Sequence, residues 1–201
     1  HYEYAIQNIN SDRAARSFGF DMNPLLDPVN VGFSAPFYHS GEVQNNLPWG
    51  GSKSTGMFRW STNAYTGVTA TDNATNALRW GTMYNYRFDL PAAPVTGTAK
   101  LYLFKPGTAN EPTMLKIPGL PVPPPPCLTD VGDGVGNVGS DGFTTGADFD
   151  LFVQAFFTGQ TDADGDLIAD VTNNDGTGGP DGFLTGSDFD FYVQAFFTGG
   201  C

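Results

Sequence analysis

The stretch DGFTTGADFDLFVQAFFTG, residues 141–159, returns almost unchanged as DGFLTGSDFDFYVQAFFTG, residues 181–199. Aligning 130–159 with 170–199 gives 19 identical positions out of 30, so this part of the chain is an internal duplication. Each copy joins a loop rich in Asp and Gly to a segment whose apolar residues follow the stripe of an amphipathic helix. Because a helix of about eleven residues is marginal alone, we predict that the two helices pack against each other.

The loop of each copy carries the pattern D-G-x-x-T-x-x-D, which is typical of the second half of an EF-hand calcium loop. An acid and a turn glycine are followed by a carbonyl ligand, a hydroxyl and an acid on the incoming helix. Calcium takes about six to eight hard oxygen ligands, which one tight loop can supply. The predicted ligands are Asp141, Phe143 (through its carbonyl), Thr145 and Asp148 in the first copy, and Asp181, Phe183 (likewise), Thr185 and Asp188 in the second.

The first half of each loop is longer than in an EF-hand. The acids that both copies share in this half are Asp130 and Asp170, each eleven residues before the second-half acid. We predict a bulged loop in which Asp130 and Asp170 still bind the ion. Asp133 in one copy and Asp175 in the other are further candidates.

A third acidic cluster, DADGDLIAD at residues 162–170, lies between the copies. Its alternating acids also indicate a calcium-binding ribbon, with Asp162, Asp164 and Asp166 as candidate ligands. Asp170 cannot fully bind two ions at once. The sequence therefore predicts two calcium sites and leaves undecided whether a third exists.

The charge distribution supports a bound cation. Residues 1–126 hold eight acids and nine Lys or Arg, a net charge of +1, whereas residues 127–201 hold thirteen Asp and no Lys or Arg, a net charge of −13. Without cations this self-repulsion would oppose compaction, so Ca²⁺ is the predicted cofactor. An alternative for a single Asp near a helix start is a helix cap, and it stays open for Asp148 and Asp188. The lack of clustered cations argues against a nucleic-acid partner.

Two cysteines, Cys127 and Cys201, bracket the duplicated region. A disulfide between them would close a 75-residue loop and contribute about 4–5 kcal/mol in the chain-entropy model. Two free thiols or a zinc pair are the alternatives, although no other soft ligand is near. A bridge indicates an oxidising compartment, and a chain that starts at His1 suggests a removed secretory leader. We therefore expect a secreted, extracellular or cell-surface protein with no membrane span.

The run LPVPPPP, residues 120–126, predicts a stiff polyproline spacer between a domain at 1–119 and a domain at 127–201. The sequence of the first domain predicts β-strands, because runs of aromatic and β-branched residues are bounded by Gly, Pro, Asn and Asp. We expect a mainly β chain with a small α module, the first domain being an antiparallel β-sandwich of immunoglobulin or jelly-roll type. The predicted strand segments are HYEYAIQNI, VNVGFSAPFYHS, GMFRWST, ALRWGTMYNYRFDL and TAKLYLFKPG.

The duplicated region resembles a dockerin, the duplicated loop-helix calcium module of secreted bacterial proteins. The opening Cys127, the two D-G-x-x-T-x-x-D-F units, FVQAFF and YVQAFF, and the final Gly200-Cys201 are similar to the GC-type variant of planctomycete bacteria. Residues 77–89 also resemble a segment of uncharacterised secreted proteins of those bacteria. The resemblance implies a cohesin-like receptor or a surface tether as partner.

Three functions are compatible with this organisation. The first is a non-catalytic structural protein that assembles with copies of itself in a surface filament or layer, in which the strand at 1–9 pairs either with a neighbour or within its own sheet. The second is a carbohydrate-binding or adhesion module using Trp49, Trp60 and Trp80. The third, a hydrolase, is disfavoured: the imidazoles are His1 and His39, no G-x-S-x-G or H-E-x-x-H occurs, and the spacing of Glu3, Glu42 and Glu111 indicates no carboxylate pair.

Overall fold

The structure is a computed structural model, and it describes residues 1–38, 43–54, 56–108, 111–162, 165–173 and 180–198. The chain divides into two compact units. Unit 1 consists of His1–Met22 and Leu26–Pro124, and unit 2 consists of Asn23–Leu25 and Pro125–Cys201. Each unit is described by itself below.

Unit 1 is built from antiparallel strands, as expected for a mainly β chain. One sheet has three strands in the order β1-β6-β3, and the other has five in the order β4-β5-β2-β7-β8. The elements are β1 (Tyr2–Gln7), β2 (Ala15–Asp21), β3 (Val29–Ser34), β4 (Gly50–Ser54), β5 (Met57–Ser61), α1 (Thr69–Ala74), β6 (Met83–Asp89), β7 (Val95–Leu103) and β8 (Met114–Val122).

Aromatic side chains from both sheets meet in one hydrophobic core. Successive side chains of a strand point to opposite faces, so the alternation in YEYAIQ and MYNYRFD sends Tyr2, Tyr4, Tyr84, Tyr86 and Phe88 to one side. The ring of Tyr4 lies 5.4 Å from those of Phe18 and Phe20 on β2, measured between centroids. Trp60 is fully buried among them.

The structure pairs the first strand within its own unit. β1 runs antiparallel to β6, with Tyr2 opposite Phe88 and Gln7 opposite Met83. Each of the five predicted strand segments overlaps a strand, although β7 begins three residues before its predicted segment, whereas β2, β4 and β8 lie outside all five. β4 has the sequence GGSKS and no apolar face, so it carries no hydrophobic signal, although it pairs with β5 along its whole length.

The first three residues of the predicted spacer, 120–122, belong to a strand in the structure. Strand β8 continues through Leu120, Pro121 and Val122, and it ends where Val122 is buried in the core of unit 1. A proline is tolerated there because β8 is the edge strand of its sheet, where a missing N–H breaks no ladder on the open side. The division between the units falls after Pro124.

Unit 2 contains two helices of 13 residues, α2 (Gly146–Thr158) and α3 (Gly186–Thr198), at the predicted places. Ring contacts pair Phe149 with Phe196 and Phe156 with Phe189, so the helices run antiparallel. At the centre, the rings of Phe152 and Tyr192 stack with centroids 3.6 Å apart. The predicted packing of the two apolar stripes is therefore observed.

The last residue of each predicted apolar stripe does not join this core. Phe157 and Phe197 are 77% and 76% exposed, although the four preceding stripe positions of α2, and three of the four in α3, pack in or against the core. Gly159 ends α2 in the left-handed conformation with φ 65° and donates its N–H to the carbonyl of Ala155, as expected for a glycine cap. None of the helices in the described ranges is long and apolar enough to cross a membrane.

Candidate metal centre

The two acids shared by the first halves of the loops occupy equivalent positions. Asp130 is buried, and its two carboxylate oxygens accept hydrogen bonds from the backbone N–H groups of Asp141 (3.0 Å) and Gly142 (2.7 Å). Asp170 is buried as well and accepts from the N–H groups of Asp181 (3.1 Å) and Gly182. The duplication of the sequence is thus also a duplication of the hydrogen bonding.

A small hairpin accommodates the lengthened first half of loop one. Gly132 and Val138 form an antiparallel bridge, and the carboxylate of Asp133 accepts from the N–H groups of Val135 and Asn137. Because the intervening residues fold back on themselves, Asp130 reaches the N–H groups eleven and twelve positions later. Asp133 therefore shapes the loop, and its pKa is lowered chiefly by the side-chain hydrogen bond from Asn137. The equivalent segment of the second loop, including Asp175, lies outside the described residues.

The acids on the helices cap them. In the first copy, Thr145 is the N-cap of α2 and Asp148 completes a capping box by accepting from the N–H and hydroxyl of Thr145 at 2.7 and 2.9 Å. Its other oxygen accepts from the N–H of Gly132 at 2.8 Å. This single carboxylate therefore joins the helix start to the loop.

Asp188 repeats this arrangement in the second copy. One oxygen accepts from the N–H groups of Val171 and Thr172, both at 3.0 Å, and the other accepts from Thr185. Asp148 and Asp188 are only 1% and 0% exposed. The cap alternative left open by the sequence is therefore the role that these contacts show, and calcium ligation by either side chain stays a prediction.

The turn acids and the carbonyl residues lie at the surface. The side chains of Asp141 and Asp181 accept from the N–H groups of Phe143 and Phe183, at 2.9 and 3.0 Å, which closes a short turn in each loop. Both phenylalanine rings are exposed. The turns thus present the same residues to solvent in both copies.

The cluster between the copies forms a turn of its own. Asp162 and Asp166 exchange hydrogen bonds, with the N–H of Asp166 donating to the Asp162 carboxylate at 3.0 Å, and a bridge joins Thr161 to Leu167. Asp164 lies outside the described residues. The third site therefore stays a prediction.

Negative charge accumulates around the first loop. Burial raises the pKa of Asp130, and the nearby carboxylates of Asp141 and Asp148 raise it further, while hydrogen bonds from the N–H groups of Gly142 and Asp141 oppose the shift. Burial also raises the pKa of Tyr192, and the carboxylates of Asp148 and Asp130 raise it further. The Tyr192 hydroxyl donates to the carbonyl of Thr129 and so ties α3 to the first loop.

The donor types of these loops suit calcium, since carboxylate, hydroxyl and carbonyl oxygens are its preferred ligands. Each Asp130 oxygen uses one acceptor position for a backbone N–H and retains another. Across the described ranges, however, no three His, Cys, Asp or Glu side chains form a group that could hold an ion.

The described residues include one of the two cysteines that were predicted to form a disulfide. Cys127 is not a free thiol, and its Sγ lies 3.2 Å from the Thr129 hydroxyl, whereas Cys201 lies outside the described residues. The bridge between them stays a prediction. His39 and Glu42, weighed above for catalysis, also lie outside the described residues.

No protein-family model matches the chain, and no curated protein or solved structure shows detectable similarity to it. The likeness to dockerins therefore depends on the residues quoted above.

Proposed function

We propose that this protein is a non-catalytic, extracellular, calcium-binding structural protein, which assembles with copies of itself in a cell-surface filament or layer. In this proposal unit 1 is a β-sandwich, unit 2 is a dockerin-like calcium module, and a Cys127–Cys201 disulfide closes the module. Two calcium ions occupy the duplicated loops. A surface or cohesin-like receptor is the alternative partner.

One observation carries the calcium part of the proposal: buried carboxylates occur twice, in matching positions, in a region without a single Lys or Arg. Asp130 and Asp148 in one copy, and Asp170 and Asp188 in the other, are held by backbone N–H groups, which are weak compensation for buried negative charge. A divalent cation would compensate it fully. A structural role follows because such an ion would stabilise the fold of the module.

The test combines calorimetry with electron microscopy of the full chain. We expect calcium to bind, and at a free concentration of about 100 times Kd to stabilise unit 2 by about 2.7 kcal/mol. The Asp130→Asn variant should lose one site, because it removes a charge at the loop, while Asp150→Asn, at an exposed helix position, should bind like wild type. Because burial raises the pKa of Asp130, protons should compete with calcium as the pH falls towards that pKa.

Electron microscopy decides the assembly part. Ordered filaments or sheets that dissolve in EGTA and return with calcium would support the proposal. A chain that remains monomeric in calcium at all concentrations would refute the structural role, and calorimetry without heat of binding would refute the calcium role.

The carbohydrate-binding alternative loses two of its predicted residues. Trp49 and Trp60 are 2% and 0% exposed and pack in the core, so neither can stack on a sugar, whereas Trp80 is 72% exposed. Any glycan site must therefore use other side chains, and one surface of unit 1 offers them.

A further inference from the structure

We propose that the outer face of the three-stranded sheet of unit 1 binds a neutral oligosaccharide. A groove of about 560 Å³ lies on this face. This site goes beyond the structural function proposed above. The residues lining the groove are Glu3, Phe33, Ser34, Asn85, Tyr86 and Arg87.

The strand register sets which side chains face the groove. On the central strand, Asn85 and Arg87 alternate with the core residues Tyr84, Tyr86 and Phe88, so their side chains point away from the core. Phe33 and Tyr86 pack into the core with ring centroids 5.5 Å apart, and they therefore contribute mainly backbone to the lining.

Neighbouring strands complete a polar surface around these two residues. Glu3 of β1 stands opposite Arg87, and Ser34 of β3 stands opposite Asn85. Gly32, also opposite Arg87, provides room: a Cβ at Gly32 would lie 2.5 Å from the Arg87 Nε. The arginine side chain therefore lies over the glycine, along the floor of the groove.

Three polar side chains of the groove have no partner in the described part of the protein. None of the hydrogen bonds found among the described residues uses the side chain of Ser34, Asn85 or Arg87, and within the same ranges no ion pair joins Glu3 to Arg87. The Glu3 carboxylate differs, because it lies 3.8 Å from His1 Nε2, and His1 Nδ1 in turn lies 2.6 Å from Asp89, which also accepts from Asn30 Nδ2 at 2.6 Å. The groove therefore presents the side chains of Ser34, Asn85 and Arg87 beside a network that joins Glu3, His1 and Asp89.

The combination of groups points to a ligand rich in hydroxyls. A carboxylate, a guanidinium, an amide and a hydroxyl offer both donors and acceptors, as sugar hydroxyls do. The two charged side chains that line the groove, Glu3 and Arg87, have opposite signs, so the groove has no net charge that favours an ionic ligand. At the far end, Gly81 donates to the carbonyl of Asn8 and Asn8 donates to that of Thr82, which anchors the segment bearing the exposed Trp80 beside the end of β1.

The test is calorimetric titration of the full chain with cello-, manno- and xylo-oligosaccharides, and with uronate oligomers as the charged comparison. We expect a neutral oligosaccharide to bind, with Arg87→Ala and Asn85→Ala each weakening the affinity about tenfold through loss of hydrogen bonds. Trp80→Ala should weaken it by a few-fold. Thr98→Ala, an exposed change on β7 of the five-stranded sheet, is the matched control.

Thermal melting of each variant separates lost binding from lost folding. Failure of every neutral oligosaccharide to bind would overturn the proposal, as would binding confined to uronates. Binding that Arg87→Ala and Asn85→Ala both leave unchanged would also overturn it. Because this titration does not involve assembly, its failure is distinguishable from failure of the filament proposal.

Discussion

The two units differ in the polar groups that they bury. Unit 1 buries several tyrosine hydroxyls on large apolar rings, such as that of Tyr84, which donates to Asn76 and to the carbonyl of Ala77, and it buries one carboxylate, that of Asp72. Among its described residues, unit 2 buries four carboxylates, such as that of Asp188, which accept from backbone N–H groups. Apolar burial stabilises the first unit without help from solution ions. The second has a smaller core and depends on whatever balances its charge.

The largest expected effect that separates the units comes from high pH. Burial raises the pKa values of Tyr4, Tyr84 and Tyr86 in unit 1 and that of Tyr192 in unit 2, whereas the tyrosines of an unfolded chain ionise near pH 10. Because unit 1 has more such tyrosines, its stability changes more. The unfolded state therefore releases protons that the folded state keeps, and the stability present below about pH 10 is lost as the pH rises above it. We expect cooperative unfolding of unit 1 there.

Tryptophan fluorescence measures this loss selectively, because Trp49, Trp60 and Trp80 all belong to unit 1. The fluorescence change and the tyrosinate absorbance should rise together. Complete tyrosine ionisation with unchanged fluorescence would show that the core admits charged tyrosines, contrary to the comparison.

A single carboxylate should destabilise unit 2 by a smaller amount. Asp188→Ala leaves the N–H groups of Val171 and Thr172 without their acceptor and removes a helix cap, so we expect a loss of about 1–3 kcal/mol. Helical circular dichroism, measured in EGTA to remove any effect of calcium, reports the change because α2 and α3 dominate the helical signal.

Asp190→Asn, at an exposed position of the same helix, is the control. If Asp188→Ala and Asp190→Asn had the same free energy of unfolding, the buried carboxylate of Asp188 would contribute nothing to stability. Tryptophan fluorescence should report no change in unit 1 for either variant.

The smallest effect comes from two neighbouring tyrosines of β6. Tyr84→Phe strands the Asn76 side-chain oxygen, whose bond to the Tyr84 hydroxyl is 2.6 Å, and should cost about 1–2 kcal/mol. The Tyr86 hydroxyl is buried and has no hydrogen-bond partner in the described part of the chain, so Tyr86→Phe should be neutral or stabilise by about 1 kcal/mol. Chemical denaturation measures the free energy of unfolding of both variants. An equal loss in both would contradict the predicted difference between the two hydroxyls.

The parts of the fold that follow a strong local pattern were predictable. Helices α2 and α3 combine an apolar stripe with an N-terminal Thr and Asp, and Gly159 marks the end of α2, so position and partner followed from the sequence. The central strand β6 was predictable for the same reason, since its apolar residues alternate. Local periodicity decides these elements because each buries one continuous face.

The elements that depend on distant partners were not predictable. Strand β8 carries Pro118 and Pro121, which favour an extended backbone but give no sign that this segment pairs with β7. Trp49 and Trp60 could have been surface residues until two sheets enclosed them. At the loops, the acidic pattern could not show that backbone N–H groups hold Asp130 or that Asp133 closes a hairpin.

The hairpin of the first loop makes that segment a natural point of attachment. Its base is closed by the bridge between Gly132 and Val138, while Val135 at its tip is 82% exposed. Extra residues inserted at the tip would extend away from Asp130 without changing the reach of its carboxylate. An epitope or fluorophore could therefore be displayed there, and the natural length of this loop need not be conserved for the module to fold.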